Sequence, residues 1–274
     1  MKSSPKISRE ARQALIRNAA RIGAVNWDNI NLPTAERHTV VLQYCHDLLN
    51  VFADLGDIGR YPSLLSARAE TRRSIANILF EKREFMRTIA ELDLAMEEAF
   101  KSNKCDLIGK VLHLRGMAYF AEGYNEEAIA NFQRSLAFSR NTSPRQFMST
   151  LEYLAMLWGR NISTLELALG MYDWIICVDY YNIEAYFGKA RTLKWHHQYE
   201  RMKEIISNTP IVDCQSAILR VALHSWLGEQ VEAVECANAG LNFAMEINDL
   251  TWTDFFRNFE PMDLDRRVPV PDLR

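Results

Sequence analysis

Few side chains in this sequence sit at spacings that do chemistry. The candidates are two adjacent pairs, Cys45-His46 and His196-His197. Adjacent residues on a helix point about 100° apart, so neither pair shares a metal ion readily. His196-His197 falls where a turn between helices is expected, and we read it as a solvated surface pair. Cys45, Cys105, Cys177, Cys214 and Cys236 are odd in number and widely spaced, with no Cys-x-x-Cys pair among them. They read as buried, reduced thiols of a cytoplasmic protein. No phosphate loop, nucleophile elbow or ligand-spaced His/Glu set is present. The sequence points away from an enzyme: no catalytic residue, no metal and no cofactor is expected.

The elements that would position any site are helices. The chain has 274 residues, 48% hydrophobic and 24% charged, with a formal charge of −3. Those values exclude a disordered or collagen-like chain. With 11 glycines and 8 prolines, it lacks the frequent turns of a sandwich or barrel. Residues 63–143, 145–209 and 211–260 contain no proline. Pro33, Pro62 and Pro144 stand where helices start, since proline loses nothing in a first turn. Apolar residues recur at three and four, as in Leu48, Leu49, Phe52 and Leu55, or Ile89, Leu92, Ala95 and Met96. No apolar run reaches the roughly 18 residues of a membrane helix, so no membrane insertion is expected.

An internal repeat organises these helices. In Leu112–Leu136, small residues at Gly116, Ala128 and Ser135 alternate with large Tyr119 and Phe132, and Gly123 ends the first helix. Such spacing suits two antiparallel helices in close approach. The segment resembles the tetratricopeptide repeat, a 34-residue helix–turn–helix unit. The small residue of the first helix falls at Ala76, Gly116, Ala190 and Ala222. Met156 departs from it, with Ala155 and Gly159 nearby. The second helix carries Thr88, Ala128, Ala168, Met202 and Ala233, followed four later by Leu92, Phe132, Tyr172, Ile206 and Ala237. Asp179–Tyr186 resembles the family's turn between repeats. The resemblance implies an all-α fold, a right-handed superhelical solenoid of antiparallel helix pairs. We divide the chain into an N-terminal helical extension (1–61), about five degenerate repeats (62–250) and a capping, extended tail (251–274).

The resemblance also implies that the first helix of each pair lines a concave groove. Its inward positions are Arg73, Asn77 and Phe80; Lys110, His113, Met117 and Phe120; Tyr153, Leu157 and Arg160; and Phe187, Arg191 and Lys194. This set is cationic and aromatic in a chain of negative charge. Arginine forks pair with carboxylates and aromatics hold apolar side chains, so the expected partner is another protein or an acidic, aromatic peptide. Arg73 and Asn77 match part of the family's chaperone-tail clamp, but Leu114, Thr150 and Leu154 stand where its other residues would fall. The protein is therefore expected to act as a scaffold, adaptor or assembly chaperone.

Nucleic acid is the competing partner. Residues 1–87 hold 14 Lys/Arg against 9 Asp/Glu, and Arg68, Arg72, Arg73, Lys82, Arg83 and Arg87 form a dense basic stretch. A peptide-responsive regulator with a DNA-binding head would use the basic helix Ser8–Val25, where Ala19 and Gly23 have helix-turn-helix spacing. Pro33 would then interrupt the recognition helix at a cost of about 3 kcal/mol. The same Arg-rich helix also has a reading as a transit peptide. At the other end, Trp252, Phe255, Phe256 and Phe259 suit a cap on the last repeat, and the acidic, proline-rich Glu260–Arg274 suits a ligand for a groove, its own or a neighbour's.

Overall fold

A computed structural model describes residues 8–24, 34–55, 57–209 and 213–257. Among these, thirteen α-helices and one short 3-10 turn make up the regular structure, with no strand. The fold is all-α. The chain divides into two compact units, Met1–Leu151 and Glu152–Arg274, and the division falls inside one helix.

The first unit holds α1 (Arg9–Ala24), α2 (Thr34–Asp54), α3 (Pro62–Glu81), α4 (Phe85–Ser102), α5 (Cys105–Ala121), α6 (Asn125–Ser139) and the start of α7 (Pro144–Trp158). Pro62 and Pro144 occupy first helical positions, as their missing N–H allows. The expected start at Pro33 and the tail from Asn258 lie outside the described residues. Leu15 of α1 and Val41, Cys45, Leu48 and Phe52 of α2 form one cluster with Leu64, Leu65, Ile75, Ile78 and Leu79 of α3. A second cluster joins α3, α4 and α5 through Ala69, Ala76, Leu92, Ala95, Ala99, Ile108, Val111 and Leu112.

The second unit holds the rest of α7, the 3-10 turn Ile162–Thr164, α8 (Leu165–Val178), α9 (Ile183–Trp195), α10 (Tyr199–Asn208), α11 (Cys214–Leu227), α12 (Gln230–Glu246) and α13 (Leu250–Arg257). Local chemistry fixes their starts. The Asn182 side chain accepts from the Ala185 N–H at the head of α9. Asp213 and Ser216 form a reciprocal capping box at α11. Trp252 and Phe256 of α13 are buried against Cys214, Ala217, Ile218 and Val221 of α11 and Cys236 and Ala237 of α12.

Burial follows the repeat register. Thr88, Leu92, Ala128, Phe132, Ala168, Tyr172, Met202, Ile206, Ala233 and Ala237 are all buried, as are Ala76, Gly116, Ala190 and Ala222. The two departures have physical explanations. Met202 is wholly enclosed because its flexible thioether fills the space an alanine would leave. At the third unit Met156 is half-buried, and the close approach passes to Gly159, where a Cβ would stand 2.7 Å from Thr192 Cγ2.

Turns within pairs repeat one device. After α3, α5, α9 and α11, a residue adopts left-handed backbone: Arg83 (φ 61°), Gly123 (84°), His197 (55°) and Gly228 (79°). In each case its N–H and the next one donate back to carbonyls of the last turn, as Gly123 N to Phe120 O and Tyr124 N to Tyr119 O. Only two of the four positions hold the glycine that this conformation favours. The cysteines differ from expectation. Cys45, Cys214 and Cys236 are buried, but Cys105, at the first position of α5, and Cys177, on an outer face of α8, are exposed. Burial pushes the Cys45 thiol up to about 12.

Close approach decides where helices can pair. A Cβ on Gly116 would lie 2.7 Å from the Phe132 ring, and one on Gly188 would lie 2.5 Å from the Tyr172 ring. A Cβ on Gly170 would meet nothing within 4 Å. Urea unfolding should therefore show Gly116→Ala and Gly188→Ala each destabilised by about 1–3 kcal/mol. Gly170→Ala should gain about 0.5–1 kcal/mol from restored helix propensity.

Candidate functional site

In the first unit, the expected contact residues are already engaged. Arg73 on α3 pairs with Glu70 one turn before it, Nη2 to Oε1 at 2.6 Å. Burial alone would raise the Glu70 carboxyl, yet Arg73, Lys110 and Lys104 outweigh that and lower it. Asn77 donates to Glu81 at 3.1 Å, and Phe80 meets Phe85 edge to face. Lys110 pairs with Asp106 at 2.7 Å, and Phe120 is half-buried at the end of α5. Glu70 stands one turn from the set in the sequence, but sequence reasoning missed Asp106, although a spacing of four on a helix announces such a pair.

His113 is a special case. Its Nδ1 lies 2.8 Å from Thr150 Oγ1, and that hydroxyl donates to the Gln146 carbonyl. The hydroxyl therefore accepts from the ring, which puts the imidazole proton on Nδ1. Burial lowers the ring's pKa to about 4, so it is neutral near pH 7.

Four of the six cations of the basic stretch, Arg68, Arg72, Arg73 and Arg87, are similarly paired. Glu98 Oε1 takes Arg68 Nε at 2.8 Å and Arg72 Nε at 3.2 Å, and Arg72 also reaches Glu91. Arg87 pairs with Glu84. Burial raises the Glu98 carboxyl, and the two arginines offset part of that.

The second unit differs in kind. Trp195, the last residue of α9, is 43% exposed. Arg191, one turn before it, lies 5.7 Å from the indole centroid, and Arg160, just after α7, lies 5.9 Å from it. Arg191 Nη2 also reaches Met156 Sδ at 3.6 Å. Lys194 Nζ stands 4.7 Å from the Trp226 ring of α11. These separations fall in the range of cation–π attraction. Phe187 is half-buried and touches both apolar clusters of this unit. Tyr153 is half-buried on α7, its phenol pushed up by burial and then by Glu152 and Glu184. Two groups thus form, Arg160 and Arg191 at Trp195, and Lys194 at Trp226. The two tryptophans were not in the expected set, yet the Arg191–Trp195 spacing of four was a usable signal.

The adjacent histidines are not a solvated pair. His196 is half-buried and its Nε2–H donates to the Gly159 carbonyl at 2.7 Å. His197 is exposed in the left-handed turn, its Nδ1 3.1 Å from the Tyr199 hydroxyl. Among the described residues, no group of three or more His, Cys, Asp or Glu could hold a metal ion. Among them, too, no helix is long and apolar enough to cross a membrane.

Neither a protein-family model nor a curated protein matches the sequence. Solved structures do match the fold. Nearly identical TPR-like repeats of a kinesin light chain from Podosopora anserina superpose with a TM-score of 0.53 at 12% identity, over 76% of this chain and 94% of theirs. BtubC (BKLC) from P. vanneervenii gives 0.55 at 14% identity, over 87% and 93%. The fold is that of tetratricopeptide-like helical repeats.

His113 supplies a pH test. Unfolded, its ring titrates near the ordinary 6.5, and folded it titrates at about 4. Between those values the unfolded chain binds more protons. The contribution is complete above pH 6.5 and is lost as pH falls toward 4. Denaturant melts across that window should show His113→Asn losing about 3 kcal/mol less than wild type.

Proposed function

We propose that this protein is a non-enzymatic interaction module, a scaffold, adaptor or assembly chaperone that holds a segment of another protein. The contact surface is Arg160, Arg191, Lys194, Trp195 and Trp226, with Tyr153 and Phe187 beside them. The exposed Trp195 ring lying beside two guanidinium groups carries this reading. Arginine and tryptophan are the side chains that most often dominate binding energy at protein interfaces. A ligand with a carboxylate next to an aromatic or apolar side chain satisfies both chemistries at once. Arg73, Asn77, Phe80, Lys110, His113 and Phe120 form the weaker part of the proposed set. Their cations have acid neighbours in their own helices, and His113 is neutral.

Pairing also weighs against nucleic acid as the partner. Phosphate contacts draw on cations whose counterions are released, and Arg68, Arg72, Arg73 and Arg87 already have carboxylates. The thiols, none of them in a disulfide, fit a reducing compartment such as the cytoplasm.

Titration with a fluorescent peptide of alternating glutamate and phenylalanine tests the surface. Arg160→Glu and Arg191→Glu should each weaken binding at least tenfold, about 1.4 kcal/mol, with unchanged melting. Equal affinity in wild type, both single variants and the double variant would move the contact surface elsewhere.

A further inference from the structure

α13 fixes the start of an acidic segment close to the contact surface. Its Trp252 and Phe256 rings stack with centroids 5.6 Å apart, and both are buried against α11 and α12. The Phe256 ring covers Gly240, where a Cβ would stand 2.4 Å from it. Phe187 of α9 packs on the same cluster. It lies one turn before Arg191 and about two before Trp195. α9 therefore leads from the packing of α13 to the exposed Trp195 ring, with Arg191 and Arg160 beside it. All of these residues belong to the second unit.

The sequence after α13 carries the chemistry that this surface calls for. Residues 258–265 hold Glu260, Asp263 and Asp265 and no Lys or Arg, and Arg266 and Arg267 close the acidic run. Three times an aromatic or apolar residue stands directly before an acid: Phe259-Glu260, Met262-Asp263 and Leu264-Asp265. Reach decides among them. From Phe187 to Trp195 is about 12 Å at helical rise. A chain spans at most about 3.3–3.6 Å per residue, so from Arg257 Glu260 reaches no more than about 11 Å, before any turn back toward α9. Asp263 and Asp265 reach about 20–29 Å and cover the span with chain to spare.

We infer that Met262–Asp265 of the same chain occupies the Arg160, Arg191 and Trp195 surface until a partner's segment displaces it. The apolar side chains lie against the Trp195 ring, and Asp263 and Asp265 pair with the guanidinium groups. The inference rests on the contact surface proposed above and names what holds it when no partner is bound. Tethering favours this occupant over a second copy. A short linker gives roughly millimolar effective concentration, whereas a neighbour's segment competes only at the protein's own concentration. A segment that binds in trans at about 0.1 mM then raises the partner's apparent Kd about tenfold.

The full chain carrying Asp263→Asn/Asp265→Asn tests this against wild type, by titration with the fluorescent Glu/Phe peptide. The variant should bind about tenfold tighter, with unchanged melting. Glu260→Gln/Asp272→Asn removes the same charge and should bind as wild type does. A gain as large in this control would overturn the inference, because general charge repulsion would explain both. A capped peptide of residues 258–268, added in trans, should compete with the Glu/Phe peptide on the Asp263→Asn/Asp265→Asn variant; failure to compete would overturn the inference. Equal affinity of wild type and variant, each weakened by Arg191→Glu, would overturn it and leave the contact surface standing. Weaker binding by the variant would place the segment within the partner's site and overturn occupation by the chain itself. A gain confined to protein concentrations at which wild type sediments as a dimer would assign the segment to a neighbouring chain, and overturn occupation in cis. No binding of the Glu/Phe peptide by either protein, or binding untouched by Arg191→Glu, would overturn the contact surface and this inference with it.

Discussion

Everything in this fold hangs on how closely two helix backbones can approach, and the limit is set by a ring lying flat where a side chain is missing. Phe132 covers Gly116, Tyr172 covers Gly188 and Phe256 covers Gly240. In all three the partners stand sixteen residues apart. The ring removes apolar surface from water, and the glycine lets it do so without pushing the helices apart. Where that arrangement changes, as at Gly159 against Thr192, the neighbouring residues change with it.

This constraint is also why the fold was legible in the sequence. The alternation of small and large residues around Gly116 and Phe132 is a direct imprint of helix contact, and burial extends the same register to Thr88, Ala168, Met202 and Ala233. Gly123 announced its turn because glycine is the usual left-handed residue. Arg83 and His197 take the same backbone without that signature. His196 was misread for a related reason. Its contact with Gly159 spans two repeats, and no local pattern carries that information.

The contact surface was less legible, because what a cation meets is set by the assembled helices. Arg73, Lys110, Arg160 and Arg191 look alike in sequence. Arg73 and Lys110 are held by acids one turn away on their own helices, whereas Arg160 and Arg191 lie beside Trp195. An intrahelical pair is partly visible as a spacing. A guanidinium from after α7 beside a ring at the end of α9 is visible only once the helices are assembled. The tryptophans were missed because a groove position was judged by its place in the repeat rather than by its neighbours.

The sixteen-residue separation of ring and glycine bears on how the chain folds. Closing a loop that short costs little conformational entropy, and the cost grows only slowly with length. Each ring can therefore find its glycine before distant parts of the chain are ordered. Chains rich in such local contacts fold quickly for their size. Nucleation can begin at any hairpin and spread to its neighbours, as nearest-neighbour stacking in repeat folds allows. In native-state hydrogen exchange, amides around Phe132 and Tyr172 would open last within their own units, and the ends of each unit would open first.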